Sequence, residues 1–170
     1  IFMIIFGIDF SLYHTLIFRE KKNFFKSEEL KVYLGVIIVA IILIFINSRH
    51  MFSTTEEAVR NISFSVGSVI TTTGYATTDY NLWPEFSKTI IVFLMFIGAC
   101  AGSTGGGIKV SRILILLKTI VKEIKIAVHP RRTYKLSISG RLIEHETVRA
   151  INVFMVAYMV IYAFSVLIIS

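Results

Sequence analysis

Cysteine is almost missing from this chain and charge is thin, and each shortage excludes a class of protein. The single cysteine, Cys100, lies inside an apolar run. That excludes a disulfide framework and a thiol-based metal site. Charged residues make up 17% of the 170, where a soluble domain carries about a quarter. Of the two prolines, Pro84 suits the first turn of a helix and Pro130 stands at the start of a loop. No signal peptide is evident, and the sequence opens on Ile1 without a start methionine. It is therefore expected to be an excerpt of something longer. What the chain has instead is apolar residues, 55% of the total and clustered, with a mean hydropathy of +0.73. That combination says membrane.

The net charge of +7 is informative through its distribution. Arg19, Lys21, Lys22, Lys26 and Lys31 share one hydrophilic stretch; Lys118, Lys122, Lys125, Arg131, Arg132, Lys135 and Arg141 share another. Between them stand only Arg49, Arg60, Lys88, Lys109 and Arg112. Basic residues are retained on the inner face during insertion, so the two stretches are expected inside and residues 47–84 outside. A nucleic-acid-binding surface does not come with apolar runs of this kind, so no nucleic acid is expected as a partner. The lipid bilayer is.

Residues 1–18 are apolar but interrupted by Asp9 and His14, like the inner half of a helix arriving from upstream. A cytoplasmic loop over 19–31 leads to an apolar run at 32–46, which with its flanks gives a first spanning helix over 30–47. Residues 142–170 hold a second clear span, after a cytoplasmic loop over 129–141. The stretch 84–128 is different. As one helix at ~1.5 Å per residue it would be about twice as long as the bilayer is thick. Its apolar part, 89–101, runs into Gly102-Ser103-Thr104-Gly105-Gly106-Gly107-Ile108-Lys109. Consecutive glycines cost about 1 kcal/mol each relative to alanine in a helix, so the helix is expected to break there. Broken backbone at membrane depth is tolerated only in protein surroundings or beside a watery cavity.

A pore-loop pattern fills the space between these spans. Ser53 with Glu56 and Thr54 with Glu57 form overlapping capping boxes, which start a helix over 54–71. Val59, Ile62, Val66 and Val69 then recur at helical spacing, with Ser63, Ser65, Gly67 and Ser68 largely on other faces. A helix of about 15 residues covers only two-thirds of the hydrocarbon core, so a re-entrant half-helix fits. It ends at Thr71-Thr72-Thr73-Gly74-Tyr75-Ala76. A helix C-terminus carries about half a negative charge, which favours a cation just beyond it. An extended strand over 72–77 could offer carbonyls in place of the cation's lost water. Gly74 permits angles that other residues resist, and Tyr75 could wedge the strand from behind. Tyr75, Tyr80 and Trp83 suit the outer interface. Asp79 is either an exposed loop residue or a means of concentrating cations at a mouth. Lys109 is either part of a gate or a snorkelling lysine.

Taken together, Thr71 to Tyr80, Leu82-Trp83-Pro84 and Gly98 to Lys109 resemble the Trk/Ktr/HKT superfamily of potassium transporters, and specifically its TrkH/TrkG type. Ala99-Cys100-Ala101, just before the glycine run, tilts the likeness towards Trk rather than Ktr. The resemblance implies an all-α integral membrane fold of four pseudo-repeats, each helix, pore helix, filter strand, helix, with no enzymatic activity. It implies that 1–18 ends the second repeat, 30–128 is the third, and 142–170 opens the fourth. Thr72, Thr73, Gly74 and Tyr75 would hold potassium in one quarter of a filter. Gly102, Ser103, Thr104, Gly105, Gly106, Gly107 and Lys109 would belong to a gate loop. Potassium is then the substrate, and no covalent cofactor is implied. The expected partners are the other pore-loop repeats of the same polypeptide, a second copy in a homodimer, and a cytosolic TrkA-type nucleotide-binding regulatory subunit. The expected location is the bacterial inner membrane, crossed several times.

Other readings fit less well. A phosphate-binding loop wants lysine directly after the second glycine, followed by serine or threonine. Here Ile108 intervenes and Val110 follows Lys109. A structural or regulatory membrane subunit without its own pore would explain Gly98 and Gly102 as packing contacts, but not Gly105-Gly106-Gly107 or the short capped helix. His145-Glu146 begins like a zinc-protease motif, yet Arg149 takes the second histidine's place. Asn61-Ile62-Ser63 is a formal glycosylation acceptor inside the proposed half-helix and is set aside.

Overall fold

The structure is a computed structural model and describes residues 1–18, 26–129 and 135–169. Arg19, Lys21, Lys22, Arg131 and Arg132, and with them much of both basic loops, lie outside the described residues. The chain divides into two units, residues 1–111 and 112–170.

The first unit opens with two short helices, α1 (Phe2–Phe6) and α2 (Phe10–Phe18), rather than one continuous piece. The interruption falls at Gly7, Ile8 and Asp9, where the Asp9 carboxylate accepts from the Ser11 amide at 2.8 Å. Helix α3 (Glu28–Ser48) starts two residues before the expected position, because Ser27 caps it by accepting from Leu30 N. Its inward stripe is Leu30, Tyr33, Ile37, Ala40, Ile44 and Ser48. The opposite side exposes Leu34, Ile38, Ile42 and Ile46, so the helix is apolar all round, as a membrane helix is. Among the described residues, Glu28–Met51 and His145–Ile169 are long and apolar enough to cross a membrane.

Helix α4 (Thr55–Ile70) begins where one of the two overlapping boxes predicts, Thr54 accepting from Glu57 N at 3.2 Å. Its packing differs from the simple stripe expected. Val59 is exposed, whereas Ala58, Ile62, Val66, Val69 and Ile70 are buried together with Ser65 and Ser68. From Ser65 onward every residue of α4 is buried, so serines that a single-faced helix would present outward are enclosed as well. After a turn at Tyr80–Leu82, helix α5 (Glu85–Ile97) runs back beside α3. Ser87 Oγ bonds Ser48 Oγ at 2.7 Å and accepts from Asn47 Nδ2 at 2.9 Å, tying the two helices. Trp83, expected at an outer interface, is buried edge-on to Tyr80. Asp79 caps the turn through Asn81 N at 2.9 Å.

Helix α5 stops at Ile97, four residues short of the apolar run's end. Gly98 sits at φ 70°, ψ −164° and takes the chain out of the helix. Residues 98–109 are irregular, and α6 (Val110–Val128) follows.

Beyond Ser111 the second unit holds the rest of α6, a hairpin and α7 (His145–Ile169). The hairpin, β1 (Ser137–Ile138) with β2 (Arg141–Leu142), is a small departure from the expected all-α fold. Ser139 and Gly140, both at positive φ, make its two-residue turn. Ile115, Leu136 and Ile151 form a small core, and the Arg112 guanidinium lies over the Phe154 ring at 4.0 Å. Most of the remaining surface of α7 is exposed and apolar.

Candidate functional site

The candidate site lies in the first unit, where α4 ends and the 98–109 loop folds back. Thr71 terminates α4, its hydroxyl donating to Gly67 O at 2.6 Å and bonding Thr73 Oγ1 at 2.8 Å. Thr72 then takes φ 56°, a left-handed angle uncommon for a β-branched residue. This reversal lets Thr73 N and Gly74 N both donate to Ser68 O, at 2.9 and 3.4 Å. Gly74 has φ 82°, with nothing within 4 Å of where a Cβ would be. Residues 73–76 run on without helix or turn.

Tyr75 does not wedge this segment from behind. Its side chain is 69% exposed, and its carbonyl accepts from the Tyr80 hydroxyl at 3.4 Å. Thr77 Oγ1 donates to Asn61 Oδ1 at 3.3 Å, pinning the segment's far end to α4.

The glycine loop closes on itself. Ile108 N donates to Phe96 O, Lys109 N to Ile97 O, and Val110 N to Ala99 O, at 2.9–3.1 Å. Carbonyls that a helix end leaves without partners are thereby satisfied across the break. Other loop groups pair with the interruption between α1 and α2. Cys100 N donates to Gly7 O at 3.0 Å, and Phe10 N to Gly102 O at 3.2 Å. The two breaks in helix therefore satisfy each other. Glu29 supplies a further acceptor, taking Ala101 N at 2.6 Å.

Loop and α4 terminus meet directly: Gly106 N donates to Thr72 Oγ1 at 2.7 Å, while that hydroxyl donates to Thr71 O at 2.7 Å. Thus Thr72, of the expected filter residues, touches Gly106, of the expected loop residues. Ser103 turns inward on the loop, its hydroxyl bonding Cys100 O at 2.6 Å. Thr104 reaches Phe6 O at 3.4 Å. Gly105 is buried, Gly102 packs against the Asp9 carboxylate, and Gly107 lies against Gly98. Lys109 holds φ 78° and anchors by its backbone. Gly7, Asp9 and Glu29 were not singled out from sequence as part of this site. Gly7 beside Asp9 in an apolar stretch was the signal available; Glu29 gave none.

These features define a class: a mostly helical protein, with helices long and apolar enough to cross a membrane, in which irregular backbone is anchored to helix ends through side-chain hydroxyls. Residues 1–170 match the family described as TrkH, cation transport protein. The chain belongs to that family. It is 33% identical over 170 residues to the Trk system potassium uptake protein TrkH of Escherichia coli K12, covering 98% of this chain and 35% of that protein. The Trk system potassium uptake protein TrkG of the same strain is 28% identical over 172 residues, covering 99% and 35%. The crystal structure of the potassium transporter TrkH from Vibrio parahaemolyticus matches with a TM-score of 0.85 at 31% identity. That match covers 96% of this chain and 36% of the other. The chain thus spans about a third of the length of the relatives it matches.

Proposed function

We propose that this chain supplies one quarter of a potassium pathway in a Trk-type uptake protein. Carbonyls of Thr72, Thr73, Gly74 and Tyr75 would take the place of water around the ion. The electronegative end of α4 behind them favours a cation. The loop at 102–109, with Lys109 at its end, restricts flow past that point. In this reading residues 1–18 close the second repeat, 30–128 form the third, and 142–170 begin the fourth. The remaining filter strands come from the other repeats of the polypeptide. The assembled protein sits in the bacterial inner membrane, crossing it several times. It pairs with a second copy and answers to a cytosolic TrkA-type nucleotide-binding subunit.

The observation that carries this reading is the bond from Gly106 N to Thr72 Oγ1. A glycine loop that touches the segment beyond a half-helix is placed to restrict whatever passes that segment. Helix packing alone needs no such contact. The test is rubidium uptake by potassium-uptake-deficient bacteria carrying the full-length protein, with and without excess sodium. A Gly74→Asp variant, confirmed in the membrane, runs beside it. Uptake that resists sodium and is lost in the variant is expected. Undiminished uptake by the variant would remove Gly74 from the pathway.

A further inference from the structure

Glu29 lies in the first turn of α3, where a carboxylate suits the positive end of the helix dipole. Yet it is half-buried, and its Oε1 accepts from Ala101 N across the fold at 2.6 Å. The Ser111 amide also faces this carboxylate, with Asp9 and Lys109 as its charged neighbours. Ala101 lies just after the loop leaves α5, and Ser111 is the second residue of α6. One carboxylate therefore faces both ends of the 98–109 loop. The Ala101 amide sits in irregular backbone, where neither helix nor strand supplies an acceptor. A bond to an ionised acceptor is about twice as strong as one between neutral groups.

We infer that Glu29 is a positioning residue for the glycine loop, holding its base so that Gly106 stays against Thr72. This rests on the proposed reading of the loop as the restriction on flow. Without the carboxylate, the Ala101 end loses its tie to α3, and the loop is left to the Thr72 contact, its bonds with Gly7 and Phe10, and those that close its two ends on each other.

The full-length protein, with cysteines outside this chain replaced, gives two separate readouts. Cys100 is wholly buried next to Ala101, so its labelling by a water-soluble maleimide in native membranes reports displacement of the loop. Rubidium uptake reports flow. Glu29→Ala is expected to raise the Cys100 labelling rate several-fold. It should also raise maximal uptake several-fold, with the half-saturating rubidium concentration unchanged. Glu29→Gln keeps an acceptor oxygen and is expected to fall between Ala and the parent. Labelling at the parental rate in Glu29→Ala overturns the inference, as does a loss of uptake equal in both variants at matched abundance. Should Glu29→Ala fail to insert, Glu29→Gln decides alone by the same labelling comparison. Raised labelling in a protein that transports nothing, even unmutated, upholds the tie and sinks the transport reading instead.

Discussion

Thr72 serves two purposes at once. Its backbone takes the left-handed angle that turns the chain out of α4, and its hydroxyl accepts the Gly106 amide. A net hydrogen bond contributes about 0.5–1.5 kcal/mol, enough to shift a loop between two positions without unfolding the site. Valine at this position keeps the β-branched shape and loses the hydroxyl; serine keeps the hydroxyl and loses a methyl. In the proposed pathway Thr72→Val is expected to raise maximal rubidium uptake several-fold, whereas Thr72→Ser stays close to the parent. Equal rates in the two variants would mean that the hydroxyl does not hold the loop. Sequence alone marks Thr72 as one carbonyl among several. Its side-chain role depends on Gly106, thirty-four positions away, and no local pattern encodes that pairing.

At the scale of elements, the break after α5 decides the architecture. Gly102 and the glycines after it predict a break, but the helix already ends at Ile97. The difference lies in Gly98, whose φ 70° and ψ −164° fall in a region essentially reserved for glycine. A Cβ there would also collide with the Gly106 carbonyl. Gly98→Ala therefore carries strain on the order of 1–3 kcal/mol plus the steric conflict. Its thermal midpoint in detergent is expected to fall by several degrees, with reduced abundance in the membrane. An unchanged midpoint would show that the loop can leave the α5 terminus at little cost.

Local chemistry made other elements legible. Thr54 with Glu57 announced the start of α4, and its length announced that it could not cross alone. The break between α1 and α2, the Trp83 burial and the Glu29 contact were not legible. Each depends on partners far along the chain, such as Gly7 O for Cys100 N. The buried Ser65 and Ser68 were misplaced for a related reason. Period-finding assumes one buried face, and α4 is enclosed all round in its second half.

At the scale of the whole molecule, one filter segment cannot surround an ion, so the proposed pathway needs companions, and these need a common orientation in the bilayer. Charge supplies the argument for that orientation. Lys118, Lys122, Lys125 and Lys135 crowd one stretch, while residues 50–84 carry a single lysine or arginine, Arg60. On the proposed reading, retention of lysine and arginine on the inner side is expected to leave the Tyr80–Leu82 turn outside and the end of α6 inside. Asn81 and Glu123 are both exposed and suit a direct test. In a full-length protein without other cysteines, Asn81→Cys is expected to react with a membrane-impermeant thiol reagent in intact spheroplasts. Glu123→Cys should react only after permeabilisation. The reverse pattern would put the segment beyond α4 on the cytoplasmic side. The segment at 73–76 would then face the cell interior, and a potassium pathway entered from outside could not use it as its outer filter.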